Sequence, residues 1–210
     1  MGNEMKSMIK DALILFAITL AAGLLLGFVY NITKEPIAQQ KAKAKAEACK
    51  NVFAVAETFE PLMSEEEGPT AYFMAEKDSN VDINEVMQAL DSSGQLIGYV
   101  ITVTDHEGYG GDIQFSMGVT LDGMLNGISL LSISETAGLG MKAGDILVPQ
   151  FSDKKVECFT YTKSGSTSDS EIDVISGATI TTNAIVNGVN SGLMFFHSVL
   201  VGNEGGALNE

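Results

Sequence analysis

The residues best placed to do chemistry crowd into one short stretch, Asp173-Val-Ile-Ser176-Gly177-Ala178-Thr179-Ile-Thr181-Thr182. Branched residues run into Ser-Gly-Ala and then into hydroxyls, the pattern of a strand that ends in a tight turn and opens a helix. Amides at a helix start lack intrahelical partners and attract an anion, and glycine lets that anion approach the backbone. A phosphate is therefore the ligand chemistry this stretch suits. The same residue types also make an ordinary helix cap, so composition alone leaves both readings open.

Other constellations carry less. Gly138-Leu-Gly140-Met-Lys142-Ala143 matches the dinucleotide fingerprint in spacing, but Gly144 and Pro149 interrupt the helix that would aim amides at a pyrophosphate. Asp105-His106-Glu107 and Asp112 flank the glycine turn 108–111, where such residues are ordinary turn formers, and they are read as a turn rather than a metal site. His197 stands among apolar residues and is read as structural or exposed. Cys49 and Cys158 have no metal spacing, leaving two buried thiols or one disulfide. No hydrolase elbow, zinc-protease helix or phosphate loop is present, which favours a bound prosthetic group over hydrolytic chemistry.

These residues need a scaffold, and the 210-residue chain has room for one membrane anchor and one domain. Its formal charge is -15, with 25 carboxylates against 10 lysines beyond Thr33, and it has no arginine. A nucleic-acid partner is excluded on that balance, and a phosphate cannot be clamped by guanidinium groups.

From Ala12 to Val29 only Thr19 is polar, and at about 1.5 Å per residue the stretch to Ile32 crosses a hydrocarbon core of roughly 30 Å. The run is too long for a signal peptide, and no small-x-small cleavage site follows it directly. It predicts a transmembrane helix, with Gly23 and Gly27 as a small-residue stripe. Lys34, Lys41, Lys43 and Lys45 outnumber Lys6 and Lys10, so a plain positive-inside count puts the large domain in the cytoplasm.

The predicted layout is a short tail over 1–11, the membrane helix over 12–33, a juxtamembrane helix and linker over 34–60 with a break or kink at Pro36, a domain over 61–202, and a flexible tail over 203–210. Within the domain, Thr70–Ala75 and Glu85–Leu90 are short mixed segments. Leu96–Thr104, Ile113–Val119 and Leu125–Ile133 read as consecutive antiparallel strands, followed by a strand-like run at Ile172–Ile175 and a packed helix over Thr181–Leu200. The fold class is α+β, a mainly antiparallel sheet flanked by helices.

The stretch Asp173-x-x-Ser-Gly-Ala-Thr179 resembles a flavinylation motif, and the resemblance extends to Gly27-Phe-Val-Tyr-Asn-Ile-Thr-Lys34, Gly108-Tyr-Gly-Gly111 and Glu135-Thr-Ala-Gly-Leu-Gly140. Together they are similar to the RnfG family, the G subunits of Rnf ion-translocating electron-transport complexes, with Ala137 standing where proline is usual in that family. The resemblance implies an FMN-binding domain whose FMN is joined covalently through its phosphate to Thr179 by a flavin transferase. It also implies electron relay between ferredoxin and NAD, other membrane subunits and lipid as partners, and a large domain outside the cytoplasmic membrane, overriding the lysine count. Ser176, Gly177, Ala178, Thr181, Thr182 and Tyr109 would be further cofactor-binding residues, and Glu135, Thr136, Leu139, Gly140 and Lys142 would line the isoalloxazine. No catalytic acid or base is required by that role. The acidic surplus would repel a free nucleotide of about two negative charges, so a covalent link solves a retention problem. The alternatives are the NqrC component of a sodium-pumping NADH:quinone reductase, an anchored ligand-binding or sensor domain, and a stand-alone extracellular flavin reductase.

Overall fold

Strong helix formers fill the first fifty residues, and in the computed structural model, which describes residues 2–63 and 80–201, Gly2–Val52 form a single helix, α1. Pro36 lies inside α1 and does not end it. A proline withholds one N–H from the ladder, and the alanine- and leucine-rich flanks sustain the helix around it. Residues 4–11, expected as a tail, are helical for the same reason.

The chain divides into two units, Met1–Ala44 and Lys45–Glu210. In the first, the apolar run is exposed on every side, as a helix solvated by lipid must be. Thr19 donates its hydroxyl to the carbonyls of Leu15 and Phe16, both at 3.0 Å, and Thr33 donates to Val29 at 2.8 Å. No side-chain donor of these two is left facing hydrocarbon.

The second unit is built on a five-stranded antiparallel sheet, β1 (Thr58–Met63), β2 (Val81–Leu90), β3 (Leu96–Asp105), β4 (Ile113–Thr120) and β5 (Leu125–Ser132), ordered in space as in sequence. The three strands read from the sequence are β3, β4 and β5. The segment Glu85–Leu90 is the second half of β2. Thr70–Ala75, the acidic loop after Met63 and the tail 203–210 lie outside the described residues.

From Gly98 to Asp105 each residue of β3 pairs across to both neighbours, Val103 with Ile83 and Phe115 for example, and both faces of the sheet are covered. Tyr99, Ile101 and Val103 face the main core with Phe115, Met117 and the apolar face of α3 (Thr179–Phe195). Val100 and Ala89 pack with Cys49 and Val52 from the end of α1 and with Phe53 just past it, so the last turns of α1 are part of this unit's second core.

After β5 the chain makes a 3-10 turn at Gly140–Lys142, the short helix α2 (Ala143–Ile146) and a second 3-10 turn at Val148–Phe151. Two short strands, β6 (Thr160–Thr162) and β7 (Glu171–Asp173), then pair in parallel. The closing helix predicted over Thr181–Leu200 is α3, continued as a π-helical segment to Val201. More than half of its most apolar window is buried in the domain, which makes it a core helix. Cys49 is buried, Cys158 is exposed, and both are free thiols, so the pairing considered from sequence is absent.

One buried group is out of balance. Asp105, at the end of β3 between Val81 and Ile113, is fully buried. Its Oδ1 accepts the Glu107 N–H at 2.7 Å, and its Oδ2 has no hydrogen-bond partner. Burial, reinforced by the nearby Glu107 carboxylate, pushes its pKa up from 3.8 to about 6. The folded state therefore holds this proton more tightly than the unfolded chain, and the stability it contributes is lost as pH rises through about 6. Asp105→Asn should melt a few degrees above the parent at pH 7.5, and the gap should close near pH 4, where the parent is protonated too. Thermal melts at the two pH values check this; a gap independent of pH would refute it.

Candidate functional site

Three chain segments converge on one cavity of about 460 Å³ in the second unit. That volume falls in the range of about 300–1,000 Å³ typical of small-molecule sites. The turn between β3 and β4 contributes Tyr109. The loop after β5 contributes Glu135, Thr136, Leu139 and Gly140, and the start of α3 contributes Gly177, Ala178, Thr179, Ile180 and Thr181.

Most of the site residues read from sequence are thus brought together, though not all in one role. Ser176 is exposed on the turn just before the cavity wall, and Lys142 is exposed beyond the loop; neither lines the cavity. Thr182 lies fully buried behind the wall, where its hydroxyl donates to the Ala178 carbonyl at 3.0 Å and accepts the Ile175 N–H at 3.2 Å. Ile180 was missed: it lines the cavity and is 52% exposed. The available signal was its place directly after Thr179, an apolar side chain in a first helical turn.

The walls are held by a buried carboxylate. Glu135 Oε2 accepts the hydroxyl of Thr181 at 2.9 Å, and Oε1 accepts the N–H of Gly110 at 3.1 Å. Gly140 allows the loop to close on the helix, because a Cβ there would stand 2.6 Å from Thr181 Oγ1 and 2.7 Å from Glu135 Cβ. Gly177 sits at φ +78°, a conformation that admits glycine readily and turns the chain sharply into α3.

α3 begins without a side-chain cap, its N-cap position being Ala178. The first-turn amides of a helix lack intrahelical partners, so the cavity has a partly positive floor where Thr179 sits. Among the described residues, the only charged one lining it is the acid Glu135. Tyr109, Leu139 and Ile180 present exposed apolar surface around it, 70%, 40% and 52% exposed respectively. An uncapped amide cluster beside exposed apolar side chains suits a ligand with a phosphate at one end and a flat aromatic system at the other.

The turn carrying Tyr109 is braced from outside. His106 bonds Asp112 through Nδ1 at 2.9 Å and Asp82 through Nε2 at 3.0 Å. These bonds, to Asp112 first, raise its pKa above the ordinary value. An imidazole donates through both nitrogens only as a cation, which two carboxylates favour. The residues read as turn formers are therefore joined by Asp82 of β2, and among the described residues no group of three His, Cys, Asp or Glu is placed to hold a metal ion. His197 is exposed, edge-on to Phe196 at 5.1 Å.

Residues 108–194 match the family model of the FMN-binding domain, a span that takes in all three walls of the cavity, and residues 1–52 match that of the RnfG N-terminal region. The chain is similar to the G subunit of the Na(+)-translocating ferredoxin:NAD(+) oxidoreductase complex of Acetobacterium woodii, 27% identical over 203 residues, covering 93% of this chain and 95% of the relative. It is also similar to the G subunit of the proton-translocating ferredoxin:NAD(+) oxidoreductase complex of Clostridium ljungdahlii, 32% identical over 188 residues, covering 86% and 90%. Among solved structures, Shewanella oneidensis NqrC shares the fold with a TM-score of 0.51 at 16% identity, covering 72% of this chain and 88% of that one.

Removing the carboxylate that holds the walls should be destabilising. Glu135→Ala leaves the Thr181 hydroxyl and the Gly110 amide without their partner and should lower stability by about 1–3 kcal/mol, while Glu135→Gln, which can still bond both, should recover most of it. Chemical denaturation measures the difference; a Glu135→Ala chain as stable as the parent would show that the bridge contributes nothing.

Proposed function

Because the chain belongs to the RnfG family, the G subunits of Rnf-type ion-translocating ferredoxin:NAD(+) oxidoreductase complexes, we propose that it relays electrons through FMN held covalently on Thr179. It is a membrane-anchored electron-transfer subunit with an FMN-binding domain. A covalent link would keep the cofactor on the carrier between electron transfers.

The observation that carries the assignment to Thr179 is the state of the hydroxyls around the cavity. Those of Thr181 and Thr182 are buried and already donate, to Glu135 and to the Ala178 carbonyl. The Thr179 side chain is half-buried, lines the cavity at the uncapped start of α3, and makes no hydrogen bond among the described residues. Thr136, the other lining threonine without a side-chain hydrogen bond among them, is exposed and lies on the loop after β5 rather than at a helix start. On this reading the Thr179 hydroxyl forms the ester bond to the FMN phosphorus and gives up its proton. Condensation with free FMN in water is uphill, so the donor is an activated flavin nucleotide whose phosphoanhydride bond breaks, the proton leaving with the departing phosphate. A flavin transferase fits that step.

When bound, the isoalloxazine supplies the redox chemistry. The chain's part would be to orient and shield it: Leu139, Ile180 and Tyr109, which line the cavity, would offer apolar contact, and the first-turn amides of α3 would suit the phosphate. With Glu135 the only charged residue in the lining among the described residues, no basic side chain there retains a nucleotide, and the proposed ester would.

We place the Lys45–Glu210 unit on the extracytoplasmic side, against the lysine count. A cofactor lost there could not be replaced from the cytoplasmic pool, which is a physical reason for a covalent tether. The remaining partners are the other proteins of the complex, reached through or beside α1, and the surrounding lipid.

Thr179→Ala, made with a flavin transferase co-expressed, should abolish the fluorescent band in a denaturing gel and the added mass of FMN less water. Thr136→Ala, Thr181→Ala and Thr182→Ala should keep both. Covalent flavin persisting in Thr179→Ala would end the assignment. For sidedness, Cys158 is the exposed thiol and Cys49 the buried one; a membrane-impermeant maleimide should label Cys158 in intact spheroplasts, and labelling only after lysis would put the domain in the cytoplasm.

A further inference from the structure

β7 delivers the chain to Thr179, and its two edges are satisfied in different ways. Toward β6 it makes ordinary ladder bonds, with Val174 N–H reaching the Thr162 carbonyl at 3.0 Å just past the paired residues. Backbone groups alternate in direction along a strand, so those of Asp173 point to the other edge, where among the described residues no strand pairs with β7. There the carboxamide of Gln150 stands in for a strand. Asp173 N–H donates to Gln150 Oε1 at 2.7 Å, and Gln150 Nε2 donates to the Asp173 carbonyl at 3.2 Å and to the Ile146 carbonyl at 2.8 Å.

Gln150 belongs to the 3-10 turn Val148–Phe151, which continues the loop that carries Glu135 and Gly140. One side chain thus links the segment that follows one wall of the cavity to the strand that leads into the other. Two residues on, the outward N–H of Ile175 is taken by Thr182 Oγ1 at 3.2 Å. The approach to Thr179 is therefore pinned at Asp173 from the loop side and at Ile175 from the helix side.

We infer that Gln150 is the positioning residue for flavin attachment, registering the strand that leads to Thr179 against the loop wall so that the hydroxyl meets the incoming phosphorus in line. The inference rests on the reading that Thr179 carries the ester. Gln150 does not line the cavity and touches no reacting atom. Its three hydrogen bonds leave no spare donor or acceptor for another task, apart from a second lone pair on Oε1.

The test uses the purified full chain in detergent as the substrate of a flavin transferase with a flavin dinucleotide donor, followed by intact mass. Gln150→Ala and the length-matched Gln150→Met should both lower kcat for loading by about tenfold with KM for the chain little changed, since small misplacements of a reacting group cost rate rather than binding. Gln150→Glu should be slow at pH 8, where its carboxylate faces the Asp173 carbonyl, and its rate relative to the parent at the same pH should rise as the pH is lowered toward 5 and the protonated fraction grows. A protonated carboxyl reproduces the donor and acceptor pair toward Asp173, but not the second N–H that the Ile146 carbonyl accepts. Loading of both Gln150→Ala and Gln150→Met at the parental kcat would overturn the inference, as would a loss confined to KM with a lowered melting temperature, which marks general destabilisation. A parent that takes up no covalent mass, or a Thr179→Ala chain that does, would instead bring down the attachment reading itself and this inference with it.

Discussion

A buried carboxylate without a buried cation is an unfavourable arrangement unless its oxygens are fully bonded, and the cavity is organised around one. Glu135 is only 9% exposed, and its two oxygens are satisfied by a threonine hydroxyl and a glycine amide. Neutral donors must then be held in place accurately, because a charge-assisted bond lost in a dry site leaves the charge uncompensated. That demand fixes three otherwise independent segments against one another: the turn after β3, the loop after β5 and the first turn of α3. Gly140 follows from the same constraint, since nothing larger fits where the loop meets Thr181.

The sheet lowers the entropy cost of meeting that demand. β3 and β4 pair residue for residue from Gly98 with Thr120 to Asp105 with Ile113, so the Gly108–Gly111 turn leaves a rigid two-stranded stem. α3 is packed along the same face through Ile185, Val189 and Leu193, which sets where its first turn points. The loop after β5 has no such stem, and it is held by the Glu135 bridge and the Gln150 carboxamide. His106, gripped by Asp82 and Asp112, braces the turn from the solvent side. The rigid elements lie under the cavity, and side-chain tethers hold the parts that regular secondary structure cannot.

Electrostatics and anchoring point the same way. A chain with a formal charge of -15 and no arginine is a poor trap for a phosphate in solution. The positive end of α3 supplies local attraction without adding a basic side chain. A membrane helix confines the carrier beside its partners, and an ester would confine the cofactor to the carrier. Both replace equilibrium binding with connectivity, which suits a relay whose cofactor and partners must stay together through many electron transfers.

Local pattern settled a good part of this protein. The run Ala12–Val29 is apolar on all sides and reads as a membrane span without reference to any contact. The branched residues of β3, β4 and β5, bounded by glycine turns, are legible as an antiparallel meander because each pairs with its sequence neighbour. The strand, turn and helix around Thr179 are equally local. The rest depends on residues far apart in the chain, which come together only on folding: Thr181 meets Glu135 across 46 positions, Gln150 meets Asp173 across 23, and His106 meets Asp82 across 24. The parallel pairing of β6 with β7 and the burial of the end of α1 against β2 and β3 belong to the same class. A hydroxyl looks the same in a sequence whether it is free or already bonded, and Thr179 differs from Thr181 and Thr182 only through partners that the fold brings to them.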